Sequence, residues 1–185
     1  MRVSAAAAVA VLAGAIHFTA TADTLSIGIS ERAYIAGPIR GQTRGRVLLA
    51  FPLPAEVQQS RIDFVKLQFP SILIPDSNFA LVVEAYPVTT VWERSTVVWN
   101  YPWRTPGGDF DSVRLARFST ATTDSHPIVL DITKAARQWQ SGRSNCGLIL
   151  KRPDHEGGGF SIEGLPLRQV LSSARVKFYF TRIQR

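Results

Sequence analysis

Residues Pro127–Lys151, PIVLDITKAARQWQSGRSNCGLILK, decide the fold. Ile128, Val129 and Leu130 form a short apolar run rich in β-branched residues, which predicts a strand. Asp131 and Thr133 are both N-cap residue types for a helix starting beside them. Lys134–Ser141 is made of helix formers, but two turns are too few to stand alone in water. Packing therefore has to hold that helix. Ala135, Ala136 and Trp139 share one face at helical spacing, and Gly142 supplies the left-handed stop. Gly147-Leu-Ile-Leu-Lys151 then opens a second strand. The segment predicts strand, short helix and strand, with Trp139 plugging the helix onto a sheet.

Outward from this segment the chain breaks into strand-sized pieces. Thr24–Ser30 alternates, with Leu25, Ile27 and Ile29 on one face. Arg40–Arg46 reads as a basic loop, Val47–Phe51 as a strand buried on both faces, and Pro52 and Pro54 as its end. Arg61–Phe69 is a strand whose inward set shifts from Ile62 and Phe64 to Leu67 and Phe69, which predicts a bulge at Val65-Lys66. Phe79–Val88 places Leu81, Val83 and Ala85 on one face and Val82, Glu84 and Tyr86 on the other. Val91–Asn100 reads as a turn and a short strand ending at Trp99, Arg104–Phe110 as a loop, and Ser112–Phe118 as a strand with Val113 and Leu115 apolar. Phe160–Ile162 is a short strand, and Val176, Phe178 and Phe180 mark a closing one. About ten short strands with turn signals between them, and one short helix, predict an all-β fold. The expected architecture is a jelly-roll-like antiparallel β-sandwich. No internal repeat divides it.

The 185 residues, 45% of them hydrophobic, suffice for one sizeable core. Met1-Arg2 is a basic start, Val3–Phe18 an apolar run, and Ala20-Thr21-Ala22 a small-x-small cleavage site. Residues 1–22 are thus expected to be a cleaved signal peptide and residues 23–185 a single secreted domain, extracellular, at the cell surface or in the periplasm. The apolar run falls short of the roughly 20 residues a membrane span needs. A formal charge of +7 favours anionic partners such as acidic polysaccharides, cell-wall polymers or lipid headgroups. Nucleic acid is not expected, because no recognition helix or aromatic RNA-binding motif is present. Cys146, the single cysteine, forms no internal disulfide and reads as a small buried hydrophobe.

Three segments, in order, carry a resemblance. They are Arg44-Gly-Arg-Val-Leu-Leu-Ala-Phe-Pro-Leu-Pro54, then Val82–Asn100 with its Trp-Glu…Thr-x-x-Trp-Asn pattern, and Leu130-Asp-Ile-Thr133 with Trp139-Gln-Ser-Gly142 and Asn145-Cys-Gly-Leu-Ile-Leu150. The chain resembles the DNRLRE or disaggregatase-related domain, grouped with carbohydrate-binding modules of the alginate-binding type. The resemblance covers nearly all of residues 23–185 and implies a β-jelly roll that binds polysaccharide. The chain departs from the family pattern at Pro52, where an aspartate usually follows the phenylalanine.

Catalytic signatures are missing: there is no Gly-x-Ser-x-Gly elbow, phosphate-cradling glycine loop or His-Glu-x-x-His. The carboxylate pairs Asp109/Asp111 and Glu84/Glu93 are of the type glycoside hydrolysis uses, but read better as solvated loop and edge groups. Asp154-His155-Glu156 has metal-ligand types, yet three adjacent residues rarely converge on one ion. No cofactor is expected; calcium on Asp109, Asp111 or backbone oxygens is the cation these residue types would take.

Sugar binding needs flat aromatic faces, and acidic sugars need planar donors. Trp92, Trp99 and Trp139 read as core residues. Trp103 follows Tyr101-Pro102 and precedes Arg104 in a turn, which predicts an exposed Tyr101–Trp103–Arg104 platform. Arg94, Arg143 and Arg152 are further candidates to grip a carboxylate. The expectation is a non-catalytic module for acidic or cell-surface glycans. The alternative is a self-associating structural subunit of an extracellular matrix or surface assembly, built through its edge strands.

Overall fold

The computed structural model describes residues 19–39, 42–69, 81–120, 127–153 and 173–184. Nine strands form there: β1 (Thr19–Gly28), β2 (Glu31–Ile39), β3 (Gln42–Ala50), β4 (Arg61–Phe69), β5 (Leu81–Pro87), β6 (Ala116–Thr120), β7 (Ile128–Asp131), β8 (Leu148–Lys151) and β9 (Arg175–Gln184). A single helical turn, α1 (Ala55–Gln58), and the expected short helix, α2 (Thr133–Gln140), complete the set.

The strands make two antiparallel sheets, ordered β1-β9-β4-β7 and β2-β3-β8-β5-β6. With β2 set aside as an added edge strand, the other eight follow the order of a jelly roll, in which the first and last strands lie side by side. β1 and β9 pair from Thr19↔Gln184 to Gly28↔Arg175. The main core lies between the sheets and contains Val47, Leu49, Val65, Leu67, Leu130, Leu148, Val176, Phe178 and Phe180. The alternation read in the closing strand is real, since Val176, Phe178 and Phe180 are all buried. Val47, Leu48 and Leu49 are fully buried too, so β3 is covered on both faces as its unbroken apolar run requires.

α2 is held as its sequence demands. Ala135, Ala136 and Trp139 are buried in the main core, and the Trp139 ring meets Phe51 edge-on at 5.6 Å. Neither expected residue is the N-cap: Ile132 holds that position without a side-chain bond, and Asp131 and Thr133 flank it. Asp131 Oδ1 accepts the Thr133 N–H at 2.9 Å, and Thr133 Oγ1 accepts the Val65 N–H of β4 at 2.9 Å. At the other end Gly142, φ +102°, donates to Trp139 O and Arg143 N–H donates to Gln138 O. That paired closure is a Schellman motif. Gln140 Nε2 reaches the carbonyls of Val57, Gln58 and Ser60, which ties α2 to α1.

The structure corrects the sequence reading at several places. The predicted basic loop at Arg40–Arg46 is largely strand: residues 42–46 belong to β3, hairpin-paired with the unforeseen β2. Gly37 and Pro38 hide β2, and Pro38 is tolerated because β2 is an edge strand. Residues 95–99 are a turn with only the Val98↔Tyr101 bridge, not a strand. β6 starts at Ala116, leaving Val113 exposed. The β4 bulge falls between Ile62 and Phe64 rather than at Val65-Lys66, so Phe64 points outward, 58% exposed. The expected strand Phe160–Ile162 lies outside the described residues.

Candidate functional site

A second cluster of buried residues forms on the outer face of the five-stranded sheet. Ile35, Leu48, Tyr86 and Ile149 project there from β2, β3, β5 and β8. Val88, Trp92, Val97, Trp99 and Trp103 cover them from a lobe built by residues 88–111. The indole nitrogens find partners inside it: Trp92 Nε1 donates to Cys146 O and Trp103 Nε1 to Val98 O, both at 2.9 Å. Trp99 lies against Gly37 and Gly107, where any Cβ would collide with its ring. Arg46 is buried as well, its guanidinium 5.0 Å from the Trp99 ring and 5.3 Å from Phe110, with Nη1 donating to Gly107 O at 2.6 Å.

This overturns one expectation. Trp103 is only 7% exposed and cannot offer a face to a sugar. The turn it occupies folds back on the sheet, and the outer surface of β3 and β8 is apolar enough to take a third indole. Tyr101, by contrast, is 58% exposed, and Arg104 is exposed beside it in the chain. Arg104 lines a cleft of about 470 Å³ with Thr89, Thr90, Thr105, Asp109 and Phe110. Arg94 is exposed in the turn at Glu93–Thr96 of the same lobe. Arg143 follows α2 and joins the lobe's exit, with Nη1 at 3.1 Å from Asp111 Oδ2 and 3.2 Å from Gln138 Oε1. Arg152 is half-buried, one residue beyond the end of β8. Tyr101, Arg104 and Arg94 thus share one lobe, Arg143 borders it, and Arg152 does not belong to it.

The carboxylates near this surface serve the fold. Asp109 accepts the N–H groups of Arg104 (2.9 Å) and Thr105 (3.0 Å) and the Thr90 hydroxyl (2.8 Å). Burial acts to raise its pKa, but these donors and the Arg104 charge outweigh that and hold it below the ordinary value. Asp111 is also lowered, by the Val113 N–H first and then by Arg143. Both aspartates of the expected calcium set are therefore engaged by protein donors. Glu84 is 4% exposed on the outer face of β5, with Oε1 2.5 Å from Arg114 and Oε2 accepting Tyr86 OH at 2.8 Å. Its burial is outweighed by Tyr86, Arg114 and the nearby Lys151, and its pKa is lowered. Glu84 and Glu93 do not make an acid–base pair, since Glu84 is locked in this buried network and Glu93 is exposed in its turn. Among the described residues no three His, Cys, Asp or Glu side chains gather to hold a metal. Asp154-His155-Glu156 lies outside them. No helix among them is long and apolar enough to cross a membrane.

Two features went unread in the sequence. Arg46 and Lys151 are buried cations over aromatic rings, Lys151 lying 5.4 Å from Tyr86 and 5.5 Å from Phe110. Phe64 is an exposed ring beside a groove of about 660 Å³ between β4 and α2. Neither leaves a periodic signal, because a lobe folding back creates the first and a bulge the second.

No family model matches the chain, and no curated protein matches it. The resemblance to the DNRLRE domain rests on three segments of sequence alone. Their tryptophans, Trp92, Trp99 and Trp139, are all core residues here.

Proposed function

We propose that this chain is a secreted, non-catalytic β-sandwich module that binds acidic polysaccharide, a reading in keeping with the DNRLRE-like segments. The observation that carries it is the lobe at residues 88–111. Its buried tryptophans fix it on the sheet, and it presents the exposed Tyr101 ring and the Arg104 guanidinium next to a polar cleft. Rigid loops on a stable sandwich suit recognition, because little ordering entropy is lost on binding. Arg104 offers paired donors to a sugar carboxylate, and threonine hydroxyls at the cleft match sugar hydroxyls. The net charge of +7 raises the local concentration of such polyanions.

The test is retardation of the purified chain in gels containing alginate, pectin or neutral glucans, alongside sizing chromatography. Retardation by the acidic gels alone, weakened in Tyr101→Ala and Arg104→Ala, is the expected result. No retardation by any gel sinks the reading. A structural subunit is the second reading, favoured by β2, a nine-residue strand at the sheet edge. An edge of that length can accept a strand from another copy. Concentration-dependent oligomers without sugar would move the assignment there.

A further inference from the structure

The solvent side of the four-stranded sheet has an arrangement that folding alone does not require. The bulge between Ile62 and Phe64 turns the Phe64 ring outward, and register then fixes its neighbours. Phe64 lies opposite Tyr179 on β9, and Tyr179 opposite Thr24 on β1. In the next outward row Lys66 lies opposite Lys177, and Lys177 opposite Ser26. Both ammonium groups lean on the Tyr179 ring, at 5.6 Å and 5.9 Å from its centroid. Arg175 is exposed one row further on.

Like charges set directly opposite each other destabilise a strand pair. The acid in the lysine row is Asp131, opposite Lys66 on β7, and its carboxylate already accepts the Thr133 N–H. The row therefore holds two cations against one engaged carboxylate, beside an exposed aromatic ring. Past Phe64 the surface continues into the 660 Å³ groove, whose charged lining is mixed: Asp63 and Asp131 with Lys134 and Arg137. The exposed Phe64 ring with the two ammonium groups held beside it on Tyr179 is complementary to a chain of rings that carry carboxylates.

We propose that this face, centred on Phe64 and Tyr179 and edged by Lys66 and Lys177, binds the uronate units of an acidic polysaccharide. The inference rests on the polysaccharide-binding reading and adds a surface separate from the Tyr101–Arg104 lobe. The apolar face of a sugar ring lies on Phe64, and its carboxylate meets Lys66 and Lys177. A membrane surface fits less well, since headgroup recognition uses clusters of about four to eight cations. Nucleic acid would use the same charges without needing the Phe64 ring to face a sugar.

The test is affinity electrophoresis of the full chain in polyguluronate, polygalacturonate and neutral glucan gels. Phe64→Ala, Phe64→Tyr, the double variant Lys66→Ala/Lys177→Ala, and Tyr101→Ala are compared with the parent. Phe64→Ala and the double variant are each expected to weaken polyuronate binding about tenfold, while Phe64→Tyr retains it. Retardation of the parent should fade as salt shortens the Debye length from about 10 Å at 0.1 M to about 3 Å at 1 M. Unchanged unfolding midpoints confirm that Phe64→Ala acts at the surface. Polyuronate binding that survives in both sheet-face variants but is lost in Tyr101→Ala overturns this surface and leaves the polysaccharide reading intact. No binding by the parent overturns both. Equal binding of duplex DNA or anionic vesicles, indifferent to Phe64, overturns the sugar assignment in favour of a general polyanion patch.

Discussion

The Arg137 guanidinium clamps the backbone of Ile62, donating to its carbonyl from Nε at 3.2 Å and from Nη2 at 3.0 Å. Nη2 also reaches Asp63 O at 3.0 Å. Helix α2 thereby holds open the bulge that puts Phe64 outside. A bulge leaves backbone groups out of the ladder, and a planar fork of donors is suited to collect them. Arg137→Ala is expected to cost about 1–3 kcal/mol, the range for losing hydrogen bonds to a charged group. Amide exchange at residues 61–65 should accelerate with it. A variant as stable as the parent, with protection there unchanged, would show that the bulge holds itself.

Trp103 and Tyr101, two residues apart, are expected to behave in opposite ways. Trp103→Ala empties part of the second core and should destabilise by about 3–5 kcal/mol. Tyr101→Ala removes an exposed ring and should stay within about 0.5 kcal/mol. Urea unfolding of the two variants settles the matter, and equal effects would contradict the packing described for the lobe.

Gly147 and Gly142 both have positive φ, but only one is crowded. At Gly147, φ +83°, a Cβ would collide with Leu49 O of β3, and the turn is held by Asn145, whose Oδ1 accepts the Gly147 N–H at 3.1 Å. At Gly142, φ +102°, a Cβ would meet nothing within 4 Å. Gly142→Ala should therefore cost about 1 kcal/mol, the strain of the left-handed conformation. Gly147→Ala should cost several times that, because β8 must also shift away from β3. Thermal unfolding distinguishes them, and equal losses would refute the difference in crowding.

Glu84, Asp109 and Asp111 all have pKa values lowered in the folded state. A lowered carboxylate binds fewer protons folded than unfolded, so it contributes stability above its unfolded pKa and loses it as pH falls through the folded one. The contribution of these carboxylates should be flat above about pH 5 and decline below about pH 4. Glu84→Gln should flatten the decline. A parent whose stability stays constant down to about pH 3 would contradict the donor networks around these groups.

Cys146 is buried, and that burial pushes its thiol pKa up despite the Arg143 charge. Alkylation of the native chain at about pH 8 should be slow and should become fast in denaturant. Rapid modification of the native protein would mean that the lobe opens readily, since Cys146 lies beneath Trp92.

The fold was legible wherever periodicity and punctuation coincide. Val176, Phe178 and Phe180 alternate onto one face, Val47–Phe51 runs apolar, and Gly142 ends α2; each shows itself because local geometry and burial demand the same residues. β2 was hidden because an edge strand tolerates Gly37 and Pro38, which elsewhere signal a loop. The candidate surfaces were legible only in kind, as loop arginines and aromatics. The sequence by itself determined a jelly-roll sandwich with a short helix packed through Trp139, because those elements are specified by neighbours in the chain. Which rings face water was decided by the tertiary structure alone. Trp103 went in and Phe64 came out because one depends on a lobe folding over a distant sheet face and the other on a guanidinium from α2 reaching a bulge 74 residues away.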